Sequence, residues 1–102
     1  MVERGGCVYI MTNKHRTTLY IGVTSDLPKR IIQHINHDDP KSFTAKYQLN
    51  VCVYYESFLG IEEAINREKE LKGWKRVKKN ALITQRNPTW QDLWIEEIIN
   101  WL

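Results

Sequence analysis

The chain has two cysteines, Cys7 and Cys52, and they form no CxxC pair. That spacing excludes a zinc ribbon and a disulfide-stapled secreted scaffold. Both lie in apolar, β-like runs, where a free cysteine behaves as a small hydrophobe, so a reducing, cytoplasmic setting is expected. No apolar run approaches the roughly 20 residues of a membrane helix. The opening MVERGG has an acid where a secretory signal carries only base, and no long apolar core follows it. Neither a signal peptide nor a membrane association is expected. Internal repeats, low-complexity tracts and linkers are absent, as are a P-loop, a nucleophile elbow and a Cys–His pair.

What remains is a single domain spanning residues 1–102, with 42% hydrophobic and 26% charged residues, a balance that excludes a disordered chain. A net charge of +3 says little by itself; its distribution says more. Residues 67–79 hold seven bases against two acids, whereas residues 88–102 hold Asp92, Glu96 and Glu97 and no base. A chain polarised in this way fits a face that binds a polyanion; a merely solvated basic helix is the plainer reading.

The pattern predicts an α+β fold. Residues 7–11 and 19–24 read as two β-branched, aromatic strands of a hairpin, and residues 51–55 as a third. Gly22 interrupts the second strand, which suggests a close approach to its backbone. Ser25, Asp26 and Pro28 signal a helix start, and the helix runs to about Asn36. Its expected buried stripe is Leu27, Ile31 and Ile35, with Arg30 and His34 side by side next to it. Residues 41–48 read as a loop or short helix. A long helix is expected from Ile61 to about Lys75, and Glu68 falls in its apolar stripe. A carboxylate there is costly unless it is paired or bound to metal, and Arg30 and Lys72 are candidate partners. A terminal helix over about 90–102 carries Trp90, Leu93, Trp94, Ile98 and Trp101; its end is a candidate apolar patch for a second copy or a protein partner.

These residues resemble the GIY-YIG nuclease superfamily. The resemblance rests on Val8-Tyr9 in the first strand, Tyr20-Ile21-Gly22 in the second, Arg30 and His34 on the next helix, and Glu68 on the later one. It is closer to the small single-domain bacterial members, which share YIGVTSDL (20–27), the REKELKGW segment (67–74) and NPxWxDL (87–93). It covers about residues 7–93. Two departures stand out. The first triplet is Cys7-Val8-Tyr9 rather than Gly-Ile-Tyr, and Val23 stands where some members have a lysine.

The resemblance implies a small three-stranded antiparallel sheet flanked by helices, and an endonuclease that hydrolyses DNA phosphodiester bonds in repair or recombination. It implies one Mg²⁺, replaceable by Mn²⁺, held by Glu68. Arg30 would clamp the phosphate, Tyr9 or Tyr20 would serve as base, and His34 would assist. Further DNA contacts would come from Tyr47, Lys72, Lys75, Arg76, Lys78 and Lys79, with Trp74 as a stacking surface or an anchor. One composite site requires Arg30 and Glu68 on the same face of the sheet. The alternative is a non-catalytic nucleic-acid-binding module that acts with a partner through the Trp-rich tail.

Overall fold

The computed structural model describes residues 5–102; residues 1–4, most of the opening read above for a signal, lie outside the described residues. Three strands, β1 (Gly6–Thr12), β2 (Leu19–Thr24) and β3 (Val51–Phe58), form an antiparallel sheet in the order β2-β1-β3. The α+β class and the three strands are as expected, with β3 running three residues further. β1 is central, and helices cover both of its faces, which is why its sequence is apolar without alternation.

On one face Tyr9, Met11 and Tyr55 pack with Leu27, Ile31, Leu93 and Ile98. These side chains come from α1 (Leu27–Ile35), α5 (Leu93–Glu96) and a 3-10 turn (Ile98–Trp101). On the other face Val8, Ile10, Ile21, Val53 and Tyr54 pack with Ala64, Leu71 and Ile83 from α3 (Ile61–Lys72) and α4 (Arg76–Arg86). A short helix, α2 (Phe43–Lys46), lies between α1 and β3. The β1–β3 register slips by one residue between Ile10 and Met11. This bulge lets adjacent Val53 and Tyr54 join one core layer while Cys52 and Tyr55 join the other.

Asp26 caps α1 by accepting from the Lys29 amide at 3.3 Å, and Pro28 occupies the first turn. The buried stripe of α1 is Leu27, Ile31 and His34, so Ile35, expected inside, faces out. Three further expectations are corrected. The long helix stops at Lys72 because Gly73 caps it, rather than reaching Lys75. A separate helix follows, α4, whose sequence gives little sign of it because Ile83 is its only buried residue. The single terminal helix is also absent: Trp90 has φ 53°, a left-handed conformation that no helix tolerates. Residues 93–101 form two short turns instead, and Leu93 and Ile98 pack into the core.

The terminal segment has a clear structural role. Asn87 Nδ2 donates to the Val53 carbonyl at 3.0 Å, Asp92 Oδ1 accepts from the Cys52 amide at 3.2 Å, and Arg86 Nη1 donates to the Tyr55 carbonyl at 2.6 Å. Side chains thereby satisfy the outer edge of β3, which would otherwise invite another strand. Among the described residues no helix is long and apolar enough to cross a membrane.

Gly22 pairs with Tyr9 across the β1–β2 ladder, and a Cβ at Gly22 would lie 2.4 Å from the Tyr9 ring. Gly22→Ala is therefore expected to cost about 1–3 kcal/mol in urea unfolding. Gly73→Ala, whose nearest contact is 3.4 Å, serves as the tolerated control. Equal stability of the Gly22→Ala and wild-type proteins would contradict this packing.

Candidate active site

Tyr9 is 1% exposed. Its ring lies over Gly22, and its hydroxyl meets His34 Nε2 at 2.8 Å. Tyr20, on the same face of β2, closes the group: its ring centroid is 6.3 Å from that of Tyr9 and 5.7 Å from that of His34. Behind His34 the bonds continue. Nδ1 lies 3.0 Å from Thr44 Oγ1, which lies 3.1 Å from Ser42 Oγ, the cap of α2. Burial, and then the charge of Arg30, lowers the His34 pKa to about 4. The ring is neutral at pH 7, with one nitrogen donating and the other accepting. Burial also raises the Tyr9 pKa, helped by Tyr20 and opposed by Arg30. Tyr9 keeps its proton, and one arrangement gives each donor along the chain an acceptor. Tyr9 donates to Nε2, Nδ1 donates to Thr44, and Thr44 donates to Ser42.

The Arg30 guanidinium donates to Gln33 Oε1 at 3.0 Å and bears electrostatically on the hydroxyls of both tyrosines. Four of the five expected catalytic residues are thus together. Glu68 is arranged differently. It sits on α3, and α1 and α3 pack on opposite faces of the sheet. The requirement that Arg30 and Glu68 share a face is not met, so the composite site expected from the sequence is corrected: a site that includes both residues has to reach around an edge of the sheet. The carboxylate of Glu68 is 15% exposed and pairs with Lys72 Nζ at 3.3 Å, the ion pair weighed from the sequence. Residues of the two layers approach each other around the edge strand β2, as they also do at the β3 edge, where Arg86 of α4 pairs with Glu97 of the terminal segment at 3.9 Å. At the β2 edge Leu19, Tyr20, Ile21 and Phe43 share a cavity of about 310 Å³ with Lys72 and Lys79. A larger concavity of about 510 Å³, between Cys7, Ser57 and Trp101, contains none of the catalytic candidates.

The basic segment divides. Lys72, Lys75 and Lys78 are exposed and Lys79 is half-buried at the cavity. Arg76 is held by the structure itself, donating to the carbonyls of Thr17 and Arg16 at 2.9 and 3.2 Å and to Asn80 at 2.8 Å. Trp74 has Lys78 4.0 Å from its ring centroid and Arg67 at 5.2 Å. It is half-buried and packs against the core layer that holds Leu71 and Ile83. Tyr47 is exposed against Phe43. Phe43, Thr44 and Ser42 were not singled out from the sequence as functional; the only sign of them was their place in a polar connection just after His34.

A family model described as the GIY-YIG catalytic domain matches residues 5–82. Among curated proteins, a UPF0213 protein of Staphylococcus saprophyticus is 37% identical over 78 residues, which are 76% of this chain and 93% of that one. A UPF0213 protein of Staphylococcus haemolyticus is 35% identical over 78% of this chain and 94% of its own length. The solution NMR structure of a UPF0213 protein from Bacillus halodurans superposes with a TM-score of 0.54 at 27% identity, covering 86% of this chain and 92% of the other.

The neutral, buried His34 makes stability depend on pH with a definite sign. Its pKa is about 4 in the folded chain and about 6.5 when unfolded, so the unfolded chain holds more protons in between. Stability falls as the pH is lowered from about 6.5 to about 4 and this contribution then levels off. In thermal unfolding across that window, His34→Gln is expected to flatten the acid arm. An unchanged slope would contradict the burial of His34 as a neutral ring.

Proposed function

The chain belongs to the GIY-YIG family of nuclease domains, and from that premise we propose that it is a metal-dependent DNA endonuclease whose site straddles the β2 edge. The observation that carries the reading is the grouping of Tyr9, Tyr20, His34 and Arg30 at the β1–β2 hairpin. The Arg30 guanidinium bears on both tyrosines and lines a cavity of about 260 Å³ with His34, Asp38 and Asp39, while Tyr20 lines the cavity that holds Lys72 and Lys79. A guanidinium so placed suits phosphodiester hydrolysis by attack of water in line with the leaving oxygen. Arg30 holds the scissile phosphate through its planar fork of donors and stabilises the charge that develops there.

The two tyrosines take different parts. Tyr9 is buried, keeps its proton and is bound to His34, which makes it a positioning residue. Tyr20 is half-buried and faces the cavity, so it is the candidate to take the proton of the attacking water. The Arg30 guanidinium interacts with the Tyr20 hydroxyl. His34 and Tyr9 fix the plane of Tyr20 by ring contact.

Among the described residues no three His, Cys, Asp or Glu side chains are grouped to hold a metal ion. A cation here would rest on Glu68 alone, completed by water and a substrate phosphate, a coordination that Mg²⁺ accepts and Mn²⁺ can share. Glu68 already holds the ammonium of Lys72, so its carboxylate is set in a place that accommodates positive charge. When bound, the cation supplies neutralisation of charge on the phosphate and the leaving oxygen. Lys72, Lys75, Lys78 and Lys79 extend the positive surface for sequence-independent, salt-sensitive DNA binding. The second reading, a binding module without catalysis, is favoured by one observation: the pairing of Glu68 with Lys72 rather than with the tyrosine cluster.

Nicking of supercoiled plasmid in Mg²⁺ separates the two. Arg30→Ala and Glu68→Ala are each expected to lower the rate by about a hundredfold or more while DNA binding persists. Cleavage that survives Glu68→Ala, or the absence of any metal-dependent cleavage by the wild type, would contradict the endonuclease.

A further inference from the structure

Phe43 and Tyr47 are left 47% and 45% exposed, whereas Tyr9, Tyr54 and Tyr55 are buried. Their ring centroids are 4.7 Å apart. Phe43 in turn stacks on Tyr20, with centroids 6.3 Å apart and planes inclined by 29°. A stair of aromatic rings, Tyr20–Phe43–Tyr47, therefore rises from the tyrosine–histidine group to solvent. Cations flank it: Lys46 lies 5.5 Å from the Tyr47 ring centroid, and Lys72 and Lys79 line the cavity whose wall is Tyr20 and Phe43.

Aromatic faces bordered by ammonium groups match the two chemical parts of an unpaired nucleotide. The ring stacks on the base, and the cation meets the phosphate. Bases inside a continuous duplex are already stacked on each other and offer Phe43 no face. From this we infer that the cavity at the β2 edge receives an unpaired nucleotide, so that single-stranded nucleic acid is bound in preference to continuous duplex. The inference deepens the nuclease reading and rests on it in one respect, that the strand so held is the strand cut beside Tyr20.

The test is fluorescence anisotropy of the whole chain with a labelled oligothymidylate and with a duplex of equal length, in EDTA so that binding is read without cleavage. The wild type is expected to bind the single strand more tightly. Phe43→Ala is expected to weaken that binding about tenfold and to leave duplex binding nearly unchanged. Its salt slope should match that of the wild type, because no charge is removed. Phe43→Trp is expected to restore the preference, which excludes misfolding as the cause. Equal wild-type affinities for the two forms, or a Phe43→Ala protein with unaltered affinity for the single strand, would overturn the inference. The two claims fail separately. A single-strand preference without Mg²⁺-dependent cleavage refutes the nuclease reading alone. Cleavage of continuous duplex that is as fast as cleavage of single strands refutes the unpaired-nucleotide site alone.

Discussion

The ring of Tyr9 lies across the backbone of Gly22, and the rest of the site depends on that contact. With no side chain at Gly22, the ring can cross from the central strand toward the edge strand and still remain 1% exposed. Its hydroxyl then reaches His34, which sits in the buried stripe of α1 instead of the surface position its polarity would suggest. A buried histidine needs partners on both nitrogens. Tyr9 provides one and Thr44 the other, and Thr44 is fixed in turn by the cap of α2. One missing Cβ thus orders a line of groups from the middle of the sheet to the start of the short helix.

A sheet of three strands covered on both faces has few places for a site. The outer edge of β3 is closed by Arg86, Asn87 and Asp92, which bind its backbone. The acidic end of the chain lies there too, with Glu97 bound by the Tyr55 hydroxyl and paired with Arg86 at 3.9 Å. The edge at β2 carries the cavity, the half-buried Tyr20 and the lysines. Asp92 and Glu97 thus stand at the β3 edge together with Arg86, and Lys72 and Lys79 at the β2 edge. On the proposed reading, a polyanion would meet the lysines of the β2 edge.

The strands, α1 and the hairpin residues were legible in the sequence because each is encoded locally, by β-branched runs, a cap and a glycine within a strand. Helical spacing placed Arg30 beside His34, and the resemblance implied that Tyr9 and Tyr20 join them. Three features were not legible, for physical reasons. The depth of His34 depends on a hydroxyl ten residues away, and only tertiary packing brings it there. The side of the sheet on which α3 packs, and with it the place of Glu68, is set by a crossover that periodicity does not describe. Arg76 and Trp74 read as nucleic-acid contacts because residue type does not reveal that Arg76 holds the β1–β2 loop or that Lys78 and Arg67 lie within 4.0 and 5.2 Å of the indole centroid.

The central claim is that a cation on Glu68 and the group around Tyr20 form one site around the β2 edge, although they belong to opposite layers of the sheet. Paramagnetic broadening by Mn²⁺ in amide NMR spectra tests it most directly. The account predicts broadening centred on Glu68 that reaches Lys72 and, across the edge, Tyr20 before any other strand residue, with competition by Mg²⁺. Broadening centred on Asp38 and Asp39 or on the acidic terminal segment, with Glu68 and Tyr20 left sharp, would contradict it.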